Sequence, residues 1–120
     1  MRALTYVVIG SVALLHVYFL VLEMFLWDKP TGLRVFRMTP EKAEATKVLA
    51  MNQGLYNGFL AAGLTWGSWM GDAGQPIVLF FLSCVVFAGI FGAATVSPRI
   101  LWIQALPAGV GIALVLLGQG

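Results

Sequence analysis

Charge is what this sequence has least of. Only 10% of its 120 residues are charged, seven Lys and Arg against five Asp and Glu, with a single histidine. An average soluble domain carries about a quarter charged residues, and a chain this short exposes a large share of its surface. So few ionic side chains cannot solvate it, which excludes a cytosolic enzyme and a disordered chain. A sequence pI near 9.0 does not bring in nucleic acid, because the net charge is only +2 and phosphate binding needs clustered cations. Cysteine is nearly absent too. Cys84 stands alone, so the sequence holds no disulfide framework and no thiolate metal cluster.

What is present is apolar: 60% of residues are hydrophobic and the mean hydropathy is +0.91. This composition predicts an all-α integral membrane protein. A hydrocarbon core of ~30 Å takes ~20 apolar residues per helix. The chain has room for four spans, at about 3–27, 40–70, 76–96 and 98–118, in one transmembrane domain covering 1–120. Residues 28–47 form the long connecting loop. Pro40, Pro76 and Pro98 open the last three spans, where a missing N–H costs nothing. Thr39-Pro40 and Ser97-Pro98 read as helix-start signals, so the second helix should begin at Pro40, before its apolar run at Val48. The first span is expected to be a true span, not a cleaved leader. It is long, carries Glu23 and lacks a small-residue cleavage site.

Lys29, Arg34, Arg37, Lys42 and Lys47 lie between spans one and two, Arg99 lies between three and four, and Arg2 stands alone on the other side. Six against one predicts a multi-pass inner-membrane protein, N-out and C-out, with the 28–47 loop cytoplasmic and Gly120 outside.

Polar side chains within spans are costly and therefore informative. Span one carries His16 and Glu23, seven residues apart and so about 20° apart on one helix face. Span two carries Asn52-Gln53-Gly54-Leu55-Tyr56-Asn57-Gly58, in which Asn52/Tyr56 and Gln53/Asn57 are i,i+4 pairs. Span four adds Gln104, five residues after Arg99. Counting ~1.5 Å per residue from the cytoplasmic ends puts Glu23, Asn52 and Gln104 in one layer, with His16 and Asn57 roughly two turns deeper. A hairpin register would then pair Glu23 with Asn52 and His16 with Asn57. The expected site is a cytoplasm-facing pocket made of His16, Glu23, Asn52, Gln53, Tyr56, Asn57, Arg99 and Gln104, without a metal.

A plainer reading stands beside each residue. Amides in membrane helices often serve as interhelical glue, at about 0.6 kcal/mol each. Glu23 could reach up to Lys29 or Arg34, and His16 could be a hydrogen-bonded core residue. Gly54, Gly58, Gly63 and Gly67 permit close helix packing, within the chain or between copies. Trp27, Trp66, Trp69 and Trp102 read as an aromatic belt.

The stretch from His16 to Met24, then Phe36 to Pro40, then Lys47 to Gly58 resembles an uncharacterised family of small four-helix bacterial membrane proteins. That resemblance brings a topology and no activity. The architecture is also similar to the MAPEG superfamily, four-helix trimers acting in eicosanoid and glutathione metabolism. In that comparison Asn52 matches a glutathione-contacting Asn, and Arg99 with Leu106-Pro107 matches features of the fourth helix. The acidic residue usual three positions after that Asn is Leu55 here, and Val48, Leu49 and Met51 replace arginines. Glutathione carries two carboxylates, and the chain offers them only Arg99 and, at the rim, Lys47. The resemblance therefore speaks for a MAPEG-like fold more than for glutathione as cofactor.

Three functions follow. The first is a homo-oligomer, trimer favoured, with a polar intramembrane pocket for a small or lipophilic ligand, as in a MAPEG-like enzyme. The second is a structural or assembly subunit, and the third a small proton-coupled transporter. Membrane lipid is a partner of all three, and nucleic acid of none. No nucleophile–base pair, phosphate loop or cofactor fingerprint points to a particular reaction, so the catalytic residues stay unassigned.

Overall fold

Two helix starts fall where a hydroxyl side chain precedes a proline, at Thr39-Pro40 and Ser97-Pro98. In the computed structural model, which describes residues 1–118, α1 covers Ala3–Met24, α2 Pro30–Val35, α3 Pro40–Trp69, α4 Gln75–Thr95 and α5 Leu106–Leu117. A 3₁₀ turn, Gly71–Gly74, precedes α4, and a π-helical turn, Leu101–Ala105, precedes α5. Among the described residues there is no strand. Thr39 Oγ1 accepts from the Lys42 N–H at 3.2 Å, and Ser97 Oγ accepts from the Arg99 N–H at 3.4 Å. The two start signals act as expected. The expectation for Gly120 lies outside the described residues.

Three departures have local causes. Span one was expected to run to Trp27, but α1 ends at Met24. The N–H groups of Phe25 and Leu26 both return to the Val21 carbonyl, at 3.0 and 3.2 Å, which closes the helix. Lys29 then precedes Pro30, which disfavours further helix. The loop is also less irregular than its composition implied: it contains α2 and the first turns of α3. The Met38 N–H bonds the Leu33 carbonyl at 2.9 Å to finish α2, with Arg37 in the left-handed region at φ 53°. Finally, Pro107 cannot donate to the carbonyl four residues back and its ring crowds that carbonyl. The helix widens into a π turn just before it.

The chain divides into two units. One comprises Met1–Leu14 with the chain from Leu60 onward, and four helical segments pack around its core. Ile9 and Val12 come from α1, Leu64 from α3, Val78, Leu82 and Val85 from α4, and Ala108 and Val115 from α5. Gly63 lies against the Phe81 ring, and Gly89 lies so close to Ala105 that a Cβ would stand 2.6 Å from its backbone nitrogen. The amino group of Met1 pairs with Asp72 in the same unit. The other unit is Leu15–Phe59, where His16, Leu22, Ala43 and Ala50 are buried.

Two helical stretches, Ala3–Met24 and Gly71–Thr95, are long and apolar enough to cross a membrane, and Leu101–Leu117 is a shorter apolar helix. α3 has the length, but its first turns are charged and its middle carries the amide cluster. Large apolar side chains crowd the outside, Leu14, Phe87 and Phe91 each being more than 70% exposed.

Candidate functional site

The Leu15–Phe59 unit is a helical hairpin closed at its glycines. A Cβ on Gly54 would stand 2.5 Å from Met24 Cγ and 3.2 Å from Glu23 Cβ. One on Gly58 would stand 2.8 Å from Leu20 Cδ1. Bare backbone at both positions lets α3 lie directly on α1. At that approach the Asn57 side-chain amide donates from Nδ2 to Oε1 of Glu23, both residues being half-buried. Asn57 stands nine residues past Val48, so this pair lies about 13 Å along the apolar part of α3.

Two further links join the strap after α1 to the start of α3. Trp27 Nε1 donates to Thr46 Oγ1 at 3.1 Å, and Thr46 Oγ1 donates onward to the Lys42 carbonyl at 2.8 Å. Lys47 Nζ donates to Asp28 Oδ2 at 2.9 Å. That contact holds the Asp28 carboxyl below the usual carboxylate range, mainly through the hydrogen bond itself. The Phe36 ring packs on Trp27, centroids 4.8 Å apart.

The two arms of the hairpin differ in length between these contacts. From Asn57 back to Thr46 is eleven helical residues, about 16 Å, whereas four helical residues from Glu23 to Trp27 would rise only about 6 Å. α1 ends at Met24, before either of these links.

Of the eight expected site residues, this hairpin joins Glu23 and Asn57. The pairing is Glu23/Asn57, not Glu23/Asn52 with His16/Asn57. His16 is wholly buried and stands edge-on to Phe19, centroids 5.7 Å apart. Asn52 is exposed and donates to its own helix, Nδ2 to the Val48 carbonyl at 3.2 Å. Gln53 and Tyr56 are exposed on the same helix, the Tyr56 ring 6.1 Å from that of Phe59. Arg99, exposed, and Gln104, half-buried, belong to the other unit.

Sequence reading missed Thr46, Asp28 and Lys47 as hairpin links, and it assigned Trp27 to a lipid-facing belt. A signal was available: Asp28 and Lys47 have opposite charge and an index sum close to that of the hairpin.

Residues 10–116 match the family described as "Protein of unknown function (DUF1304)". The chain is also similar to the uncharacterized protein YpaA of Lactococcus lactis subsp. lactis (strain IL1403). The two are 33% identical over 106 residues, 87% of this chain and 89% of that one. No solved structure matches. The expected kinship with a family of unknown function stands, while the MAPEG likeness gains nothing from these matches. By a match that spans nearly its whole length, the chain belongs to the DUF1304 family.

Proposed function

We propose that this chain is a multi-pass inner-membrane protein of four helices, N-out and C-out, whose hairpin unit binds a small lipophilic ligand at Glu23. One observation carries the reading: a carboxylate set among apolar helices is held by a neutral amide, not by a cation. Lys47, the cation at the rim, is engaged with Asp28. A site of this kind keeps a negative group available for a proton, an N–H donor or an organic cation. The apolar outer surface supports the membrane setting.

The same chemistry argues against glutathione at this position, because Glu23 would repel its carboxylates. The MAPEG-like enzyme reading keeps Asn52, Arg99 and Leu106-Pro107 as its only support. A homo-oligomer, trimer favoured, remains part of the proposal. Exposed Asn52, Gln53 and Tyr56 at apolar depth would be covered by another copy.

A structural or assembly subunit is the second reading. It is favoured by the use of Gly54, Gly58, Gly63 and Gly67 for packing inside the chain. Tetraphenylphosphonium binding to the detergent-purified chain separates the two. The ligand reading expects saturable binding that Glu23→Gln weakens at least tenfold with folding preserved. Absence of binding, or equal binding by the variant, leaves the structural reading.

A further inference from the structure

An open apolar groove of about 410 Å³ runs along the π turn and α5, with Ile90 of α4 on its wall. Its walls include Ile90, Trp102, Ala105, Leu106, Gly109 and Ala113. Gly109 opens the groove, for a Cβ there would meet nothing within 4 Å. From Leu101 to Ala113 is twelve residues, about 18 Å of helix, close to the depth of one leaflet of a ~30 Å hydrocarbon core.

A cation stands close by in the chain. Arg99 precedes Leu101 and Trp102, both in the groove wall, by two and three residues. Its guanidinium is exposed and has no ion pair among the described residues. Among the described residues the unit supplies none: Asp72 is its sole acidic side chain, and Asp72 pairs with the Met1 amino group. An anion from outside the chain can take that place.

We infer that the groove and Arg99 together bind one anionic phospholipid of the cytoplasmic leaflet. One acyl chain lies between α4 and α5, and the lipid phosphate sits on the Arg99 guanidinium. A free anion would use Arg99 and leave the groove unexplained. A second copy of the chain seated here is the competing occupant, and the Gly109→Leu variant below tells the two apart. A lipid satisfies both the apolar length and the charge. The inference rests on the membrane reading above and assigns Arg99 a different duty from the one the MAPEG resemblance implies.

The test titrates the detergent-purified full chain with phosphatidylglycerol or with phosphatidylcholine of the same acyl chains, and counts bound lipid by native mass spectrometry. One basic residue at a membrane surface is worth about fivefold in affinity, so phosphatidylglycerol should bind about fivefold tighter. Arg99→Gln should abolish that preference. Gly109→Leu, which fills the groove, should weaken both lipids, whereas Gly10→Leu, also facing open space, should weaken neither. Inorganic phosphate should not compete. Equal affinity for the two lipids, an unchanged preference in Arg99→Gln, or full competition by phosphate overturns the inference. So does a Gly109→Leu variant that keeps its lipid and loses only an oligomer, since the groove would then be an interface between copies. Alkaline carbonate extraction of native membranes separates the two failures. Release of the chain sinks the membrane reading; retention without lipid preference sinks this inference alone.

Discussion

Asn57 donates its side-chain amide to the Glu23 carboxylate, thirty-four residues earlier in the chain. The pair exists because Gly54, one helical turn before Asn57, presents no side chain to Glu23 and Met24. Geometry and chemistry are thus coupled: the glycine sets the distance and the amide fills it.

The first prediction concerns that coupling. Measured interhelical hydrogen bonds in membranes average about 0.6 kcal/mol, with a maximum near 1.7 kcal/mol. Glu23→Gln retains an acceptor for Asn57 and should change stability by about 0.6 kcal/mol or less. Asn57→Leu removes the donor and should destabilise by about 1–2 kcal/mol, since the carboxylate is left without its partner. A double-mutant cycle by denaturant titration in mixed micelles gives the coupling. Zero coupling would mean that the two side chains do not meet in solution.

The second prediction separates two glycines that look alike in sequence. Gly54→Ala forces a methyl to within 2.5 Å of Met24 Cγ, and Gly54→Val adds bulk toward the Leu20 carbonyl. Overpacking costs typically 1–3 kcal/mol, so Gly54→Val should lower stability by about that much. Gly109→Ala meets open space and should be neutral or stabilising by a few tenths through its better helix propensity, about 1 kcal/mol at most. Equal effects at both positions would contradict the close approach of α3 to α1.

The third prediction is one of pH. Lys47 holds the folded Asp28 carboxyl below its ordinary value. A depressed folded pKa contributes stability above the unfolded value of about 3.9 and loses it as pH falls through the folded one. The stability gap between the wild type and Asp28→Asn should therefore be largest near neutrality and close on acidification below about pH 4. Lys47→Met should erase the gap at every pH. Because the pair is partly exposed, the gap should also shrink in high salt. A gap that widens in acid would rule out this pairing.

Helix starts were legible in the sequence because Pro40 and Pro98, behind Thr39 and Ser97, carry their meaning in one or two residues. The presence of Glu23 and Asn57 in one polar site was legible too, from the expense of polar groups in apolar helices. Their pairing was not. Counting depth from Trp27 assumes that α1 stays helical to that point, whereas Thr46 and Lys47 hold Trp27 and Asp28 in an unwound strap. The partner of Glu23 on α3 moves by five residues, more than a turn, and Asn57 replaces Asn52 opposite it. The π turn at Leu101–Ala105 was hidden for a related reason. Pro107 marks a disturbance without saying whether the helix kinks, breaks or widens.

The last prediction tests the membrane arrangement. The proposed orientation puts the basic 28–47 segment in the cytoplasm, and the pairing of the Met1 amino group with Asp72 places the chain start and the Gly71–Gly74 turn at one end of their unit. In a Cys84→Ala background, Glu44→Cys and Ala73→Cys put single thiols at two exposed positions. A membrane-impermeant maleimide applied to intact cells should label Ala73→Cys and spare Glu44→Cys until the cells are broken. α3 would then cross the bilayer between the two positions, the amide cluster included, although α3 is the most polar of the long helices. Its crossing is affordable only if Asn57 is satisfied by Glu23 and Asn52 by the Val48 carbonyl, as both are. The reverse labelling pattern overturns the orientation. Equal labelling of both thiols in intact cells means that α3 does not cross, and the four-span arrangement falls with it.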